Sequence, residues 1–163
     1  MYRRTRTTRK TPTLAWGPDM EMRQFATFTI DALLFGVEVH KVQEVIRCQE
    51  MTAVPLAGHG AAGLINLRGE VVTAVDLRTR LGLPPRAAGV LPMNVVVRVD
   101  DEPVSLLVDA IGDVAHVSSE QFEEPPETMT GPGATLVTGA YKLESTLLLV
   151  LDVARAADIG IAV

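Results

Sequence analysis

Few side chains in this sequence are suited to attacking a bond, moving a proton or holding a metal, and they lie far apart. The three histidines, His40, His59 and His116, have neither the HxxxH nor the HExxH spacing that sets two imidazoles on one helix face. Cys48 has no second cysteine, and no histidine or basic pair beside it to lower its pKa, so it reads as a small buried hydrophobe. Asp109 and Asp113 resemble paired carboxylates for acid–base work or Mg²⁺ binding. Their place at a strand end before a turn suits capping of free N–H groups better. Glu120, Glu123, Glu124 and Glu127 fall in a proline-rich run and read as a solvated face. Walker A and GxSxG sequences do not occur. These residue types predict no catalytic residue, no metal and no cofactor.

One charged pair stands out instead. Glu44 interrupts the apolar run from Val42 to Ile46, and Arg68 tops a turn between two apolar runs, Leu64–Leu67 and Val71–Val75. As unrelated surface charges they would add little to stability even if they met. As neighbours at the mouth of a groove they would flank an apolar helix brought by a partner.

The elements that must position them follow from side-chain shape. Val71–Val75 is rich in β-branched residues, which favour a pleated strand, and Gly69 takes the positive φ of a tight turn. The two runs therefore predict a β-hairpin with Arg68 at its tip. Asp76 then caps a helical turn, Leu77–Leu81, closed by Gly82, which leaves Arg68 and Arg78 as two cations on a stiff scaffold. Upstream, Phe25–Ile30 and Leu33–Val37 predict a second hairpin across Asp31-Ala32. The spacing of Val39, Val42, Val45 and Ile46 predicts a short helical turn feeding a strand. Pro55 marks a strand edge or loop, and Leu83 to Pro92 reads as a linker.

Beyond the linker the pattern recurs. Asn94–Val99 and Val104–Val108 flank Asp100-Asp101 as the first hairpin flanks its turn, and an offset of 69 carries Ile30-Asp31 onto Val99-Asp100 and Val42 onto Ile111. Thr135–Tyr141 and Thr146–Val150 form another hairpin, ending in Leu151-Asp152-Val153 as the earlier one ends in Val75-Asp76-Leu77. Glu120–Gly133 reads as a loop with a short turn. The repeat predicts two small β-subdomains, about 24–83 and 92–158, which pack together and exchange edge strands.

Composition bounds the function class. At 163 residues with 47% hydrophobic and 4% aromatic content, the chain supports a core of Val, Leu, Ile and Ala. One cysteine fits a reducing cytoplasm, and no apolar run is long enough for a spanning helix. Residues 1–23 read as a disordered basic leader: Arg3, Arg4, Arg6, Arg9, Lys10 and Arg23 outweigh Asp19 and Glu21 by four charges. That leaves −9 for residues 24–163 out of a total of −5, and so acidic a body disfavours nucleic acid as the main partner. A ligand-binding or catalytic β-barrel, and a nucleic-acid-binding barrel led by the basic arm, stand as alternatives.

The residues also carry a family likeness. Gly63-Leu-Ile-Asn-Leu-Arg-Gly69 followed by Val75-Asp-Leu-Arg78 resembles the hallmark of the CheW-like family, the coupling proteins of bacterial chemotaxis. Val39-His-Lys-Val-Gln-Glu-Val-Ile46, shortly after Phe35-Gly36, resembles the family's other common segment. The likeness runs from about Gln24 to Asp158. It implies a mainly β fold of two packed five-stranded SH3-like barrels with short helices, and an adaptor without catalytic activity. It also implies two partners: the regulatory domain of the histidine kinase CheA, and the cytoplasmic tip of a chemoreceptor. Location would be cytoplasmic, at membrane-associated receptor arrays and without insertion into the membrane, in flagellar chemotaxis or another receptor–kinase pathway. By motif position Val42, Glu44, Val45 and Arg68 would face the receptor, Arg68 pairing with Glu44. Asn66, Leu67, Gly69, Asp76 and Arg78 would support the hairpin. Thr73 departs from the family, which often has proline there, and the basic leader is not a family feature.

Overall fold

The computed structural model describes residues 22–47, 49–52, 61–127 and 131–158. Residues 1–21 of the expected leader, Cys48, Pro55 and His59 lie outside the described residues.

The first half of the chain supplies β1 (Met22–Ile30), β2 (Leu33–Glu38), β3 (Val42–Ile46), β4 (Met51–Thr52), β5 (Ala61–Leu67), β6 (Glu70–Asp76) and helix α1 (Leu77–Arg80). The second supplies β7 (Met93–Val99), β8 (Glu102–Val108), β9 (Ala110–Ile111), β10 (Ala115–Ser118), β11 (Phe122–Glu123), β12 (Val137–Lys142), β13 (Leu147–Leu151) and helix α2 (Val153–Ala157). One sheet runs β10-β1-β2-β13-β12-β11, with β9 also on β1; the other runs β3-β7-β8-β6-β5-β4. The β1–β2 hairpin thus lies in the sheet of β9–β13, and the β7–β8 hairpin lies in the sheet of β3–β6. Each hairpin joins its host through one parallel pairing, β2 on β13 and β8 on β6.

The 69-residue repeat appears in the registers themselves. Val42 opposes Val97 and Ile46 opposes Asn94 in one sheet; in the other, Ile111 opposes Phe28 and Ala115 opposes Phe25. Adding 69 to the β1 member of each pair in the second set, and subtracting 69 from its partner, reproduces the first set. Turn chemistry agrees: Asp31 and Asp100 both take positive φ, at 59° and 52°, a region that short polar side chains tolerate.

Three sequence expectations need correction. Val39–Lys41 is a single 3-10 turn, and Val42–Ile46 is a strand rather than a continuation of it. Met22 and Arg23, placed in the leader, pair with Ser118 and Val117 as the start of β1. The Glu120–Gly133 stretch contains strand β11, where Phe122 opposes Tyr141 and Glu123 opposes Ala140.

The main core fills the space between the sheets. Phe28, Ile30, Phe35, Val37, Leu149 and Leu151 from one sheet meet Val75, Val95, Val97, Leu106 and Val108 from the other, with Leu77 of α1 and Val153 of α2 closing the ends. Phe28 and Phe35 stack with ring centroids 6.1 Å apart. Asp76 and Asp152 each accept a backbone N–H of the helix that follows, from Arg78 and Arg155 respectively, so two helices of four and five residues are started by carboxylates.

A smaller cluster, Ile65, Leu67, Val72, Ala74, Val96 and Leu107, underlies the β5–β6 hairpin. Fully buried beside Leu107 in register is Asn94, whose Nδ2 donates to Ser105 Oγ at 2.7 Å while its Oδ1 has no partner among the described residues. Removing one half of a buried polar pair strands the other, whereas replacing both with apolar groups removes the desolvation cost. Ser105→Ala alone is expected to destabilise by about 1–2 kcal/mol. Ser105→Ala with Asn94→Leu should recover that loss in urea denaturation; a double variant weaker than the single would contradict this account.

Candidate interaction site

Arg68 and Gly69 form the centre of the β5–β6 turn, with φ of 53° and 86°. Positive φ at both central positions marks a type I′ turn, whose twist matches that of the flanking strands. Asn66 reaches over the turn, its Oδ1 accepting the Gly69 N–H at 2.9 Å, and Leu67 anchors the hairpin in the smaller cluster. A non-glycine residue is thereby held at positive φ with its side chain projecting from the tip: 73% of the Arg68 side chain is exposed.

Arg68 meets Glu44. Nη1 lies 2.5 Å from Oε2 and Nη2 lies 2.8 Å from Oε1, a fork-on-fork arrangement that only a guanidinium can make with a carboxylate. In sheet order β3 and β5 are separated by β7, β8 and β6, so the pair can form only because the sheet curls until its β3 edge approaches the β5–β6 turn. Hydrogen bonds from Arg68 hold the Glu44 carboxyl below its ordinary range, and the same bonds raise Arg68. Beside the pair on β3, Val42 is half-buried against the main core, while Val45 leaves 40% of its surface in solvent.

Arg78 is not the presented cation that local sequence suggests. Its side chain is only 13% exposed, and it donates to Asp109 through Nε at 3.0 Å and Nη2 at 2.7 Å, and to the Pro84 carbonyl at 2.9 Å. Asp109 also accepts from Arg86 Nε at 2.9 Å and from the backbone N–H of Asp31 at 2.7 Å. Arg86 in turn pairs with Asp76 at 3.3 Å. Asp109 does cap a free N–H, as expected, but across to the β1–β2 turn and as the centre of an ion-pair network. Arg86 and this network were missed. The only signal for them was an arginine set within a linker of prolines, alanines and glycine.

One motif also escaped the sequence reading. Gly58-His-Gly60-Ala-Ala-Gly63 has the letters of a G-x-G-x-x-G phosphate loop. Its last glycine lies in strand β5, where a Cβ would come 2.6 Å from the Thr52 carbonyl oxygen. A dinucleotide loop needs a helix N-terminus after it, and here a strand follows. Close strand packing accounts for Gly63. Among the described residues no group of three or more His, Cys, Asp or Glu could hold a metal ion, and no helix is long and apolar enough to cross a membrane.

Two sheets sharing one core, with hairpins lent across, a bulged edge strand and an ion-paired turn, define a mainly β two-sheet protein with an exposed polar site. A CheW-like domain model matches residues 24–159, and the chain belongs to the CheW-like domain family. It is 30% identical over 139 residues to "Chemotaxis protein CheW" of Treponema pallidum, covering 82% of this chain and 81% of that protein. It is 29% identical to the protein of the same name from Bacillus subtilis, covering 77% and 80%. The crystal structure of the scaffolding protein TtCheW from Thermoanaerobacter tengcongensis has the same fold, with a TM-score of 0.76 at 24% identity, covering 86% of this chain and 95% of that one.

Proposed function

We propose that this chain is a non-catalytic adaptor that couples the cytoplasmic tip of chemoreceptors to the regulatory domain of the histidine kinase CheA in a chemotaxis pathway. The bidentate Arg68–Glu44 pair carries the reading. It is an exposed, geometrically defined polar contact beside the solvent-facing Val45 and the half-buried Val42, in a chain whose relatives bear the name of a chemotaxis protein. A helical hairpin laid along β3 would bury Val45 and meet a charge pattern already fixed in direction. Asn66, Leu67 and Gly69 hold the turn in shape for that contact. The two β-subdomains, about 24–83 and 92–158, act as one cytoplasmic unit recruited to receptor arrays at the membrane.

Arg68→Glu is expected to weaken binding of a receptor-tip fragment about tenfold. Its thermal midpoint should stay within about 2 °C of the wild type, because an exposed pair adds little to stability. Glu44→Arg combined with Arg68→Glu restores the pair in reverse and should recover part of the loss. NMR titration with the receptor fragment and with the kinase regulatory domain is the direct test: if neither perturbs Val42–Ile46 or the Arg68 turn, the adaptor reading fails.

A further inference from the structure

Two of the histidines that lie far apart in the sequence meet in the fold. Strand β1 runs between β10 and β2, with Gln24 opposite His116 and Phe25 opposite Glu38. The 3-10 turn Val39–Lys41 follows β2 directly and carries His40. A surface cavity of about 470 Å³ opens where these elements meet, lined by both imidazoles, Arg23, Glu38, Met22 and Val39. Glu38 is the one carboxylate among the described lining residues, and it is already engaged. His40 Nδ1 lies 3.7 Å from it and Lys41 Nζ lies 3.8 Å from it.

Imidazole is the side chain that gains or loses charge between about pH 5 and 8. While both rings are neutral, Arg23 balances Glu38 and the lining carries no net charge. With both protonated it carries two positive charges. Residues 24–163 carry −9, so this is a place where an acidic surface turns to accept a carboxylate. Met22 and Val39, 44% and 37% exposed, give the cavity an apolar rim on which the stem of an acidic side chain can rest. The turn bearing His40 runs straight into β3, so the cavity borders the start of the proposed docking strand.

We propose that this cavity receives an acidic side chain of the docked receptor segment, and that protonation of His40 and His116 strengthens the contact. A carboxylate stays ionised throughout the range in which imidazoles charge, so the partner's sign does not change with the rings. Glu38 and Lys41 face His40 from its own segment, and Arg23 faces the shared cavity from β1. Imidazole alone among these side-chain types titrates in that range. Naming a receptor as the bearer of the carboxylate rests on the adaptor reading; the charge change of the cavity does not.

The test uses the whole chain and a receptor-tip fragment at about pH 6 and pH 8. The wild type is expected to bind about threefold tighter at the lower pH, a gain of the size exposed charges give. His40→Gln with His116→Gln should bring the ratio of the two affinities close to one. Both rings are exposed, so the fold should survive the change. A ratio unchanged in the double variant overturns the proposal, because the fragment's own titration would then be its source. A gain undiminished in about 0.5 M salt also overturns it, since contacts between exposed charges are screened. A hexaglutamate peptide tests the cavity without the receptor. At pH 6 it should shift the ring-proton signals of His40 and His116, with no shift at pH 8 and none from hexaglutamine. Shifts caused by inorganic phosphate but not by hexaglutamate would mean a small-anion site and refute the acidic side chain. If hexaglutamate shifts the rings while the receptor fragment binds at neither pH, the adaptor reading fails and the chemistry of the cavity stands.

Discussion

Asp109→Asn should destabilise the protein by about 3 kcal/mol at neutral pH, because it leaves two largely buried guanidinium groups without their counter-charge. The substitution keeps shape and removes only the charge. Arg78 and Arg86 have side chains 13% and 9% exposed and both bond to this carboxylate; Arg86 would retain its longer contact with Asp76, and Arg78 only the carbonyl of Pro84 and the exposed Asp31 at 3.6 Å. A loss of that size lowers the thermal midpoint by roughly 10 °C in a chain of this length.

The acid profile supplies an independent check. Hydrogen bonds from Arg78, foremost, and then the Asp31 N–H and the charges of both arginines hold the Asp109 carboxyl at about 2 against an ordinary 3.8; burial works the other way. A carboxylate depressed on folding contributes stability that is complete above its unfolded pKa and lost as pH falls through the folded one. In the wild type, therefore, on the order of 2 kcal/mol disappears between about pH 4 and pH 2. In Asp109→Asn that part of the slope should be missing. Urea midpoints at neutral pH, pH 4 and pH 2.5 would show it. A destabilisation under about 1 kcal/mol, or an unchanged acid slope, would mean that Asp109 is a solvated cap and not the centre of the network.

Asp109 also illustrates what local sequence can and cannot convey. The hairpins were legible because their information is local: β-branched runs on either side of Asp31-Ala32, Arg68-Gly69 and Asp100-Asp101 specify strand, turn and strand with no reference to the rest of the chain. The helix starts at Asp76 and Asp152 were legible for the same reason. The partner of Arg78 lies 31 residues away. Nothing near Arg78 announces it, so a buried structural cation read as a presented one.

The strand β3 misled for a different reason. Val39, Val42, Val45 and Ile46 have helical spacing, yet Val45 faces solvent, and a bulge at Gln43 disturbs the alternation that would otherwise identify a strand. Both irregularities lie at the candidate site. Departures from local rules are expected at functional or strained positions. Phe122 was lost in a similar way, as one aromatic residue among acids and prolines. Its ring packs edge-on to Tyr141 at 5.4 Å and lies against Gly139, where a larger residue would collide with it.

The shared core gives the last large effect. Phe35→Ala removes a fully buried ring that stacks on Phe28 and sits in the cluster drawn from both sheets, and it should cost about 3–5 kcal/mol. Against a total stability of about 5–15 kcal/mol this is a severe loss, yet its form is more informative than its size. Neither half of the chain builds a sheet alone: β2, which carries Phe35, is held by β13 from the second half, while β8 is held by β6 from the first. Weakening one sheet at Phe35 must therefore loosen both. Methyl signals of Leu148 and Val117 in one sheet, and of Val72 and Val96 in the other, should disappear together along a urea titration, in the variant as in the wild type. If the two groups separated in Phe35→Ala, with Val72 and Val96 persisting, the sheets would be independent folding units, and the lent hairpins would join them without making them one.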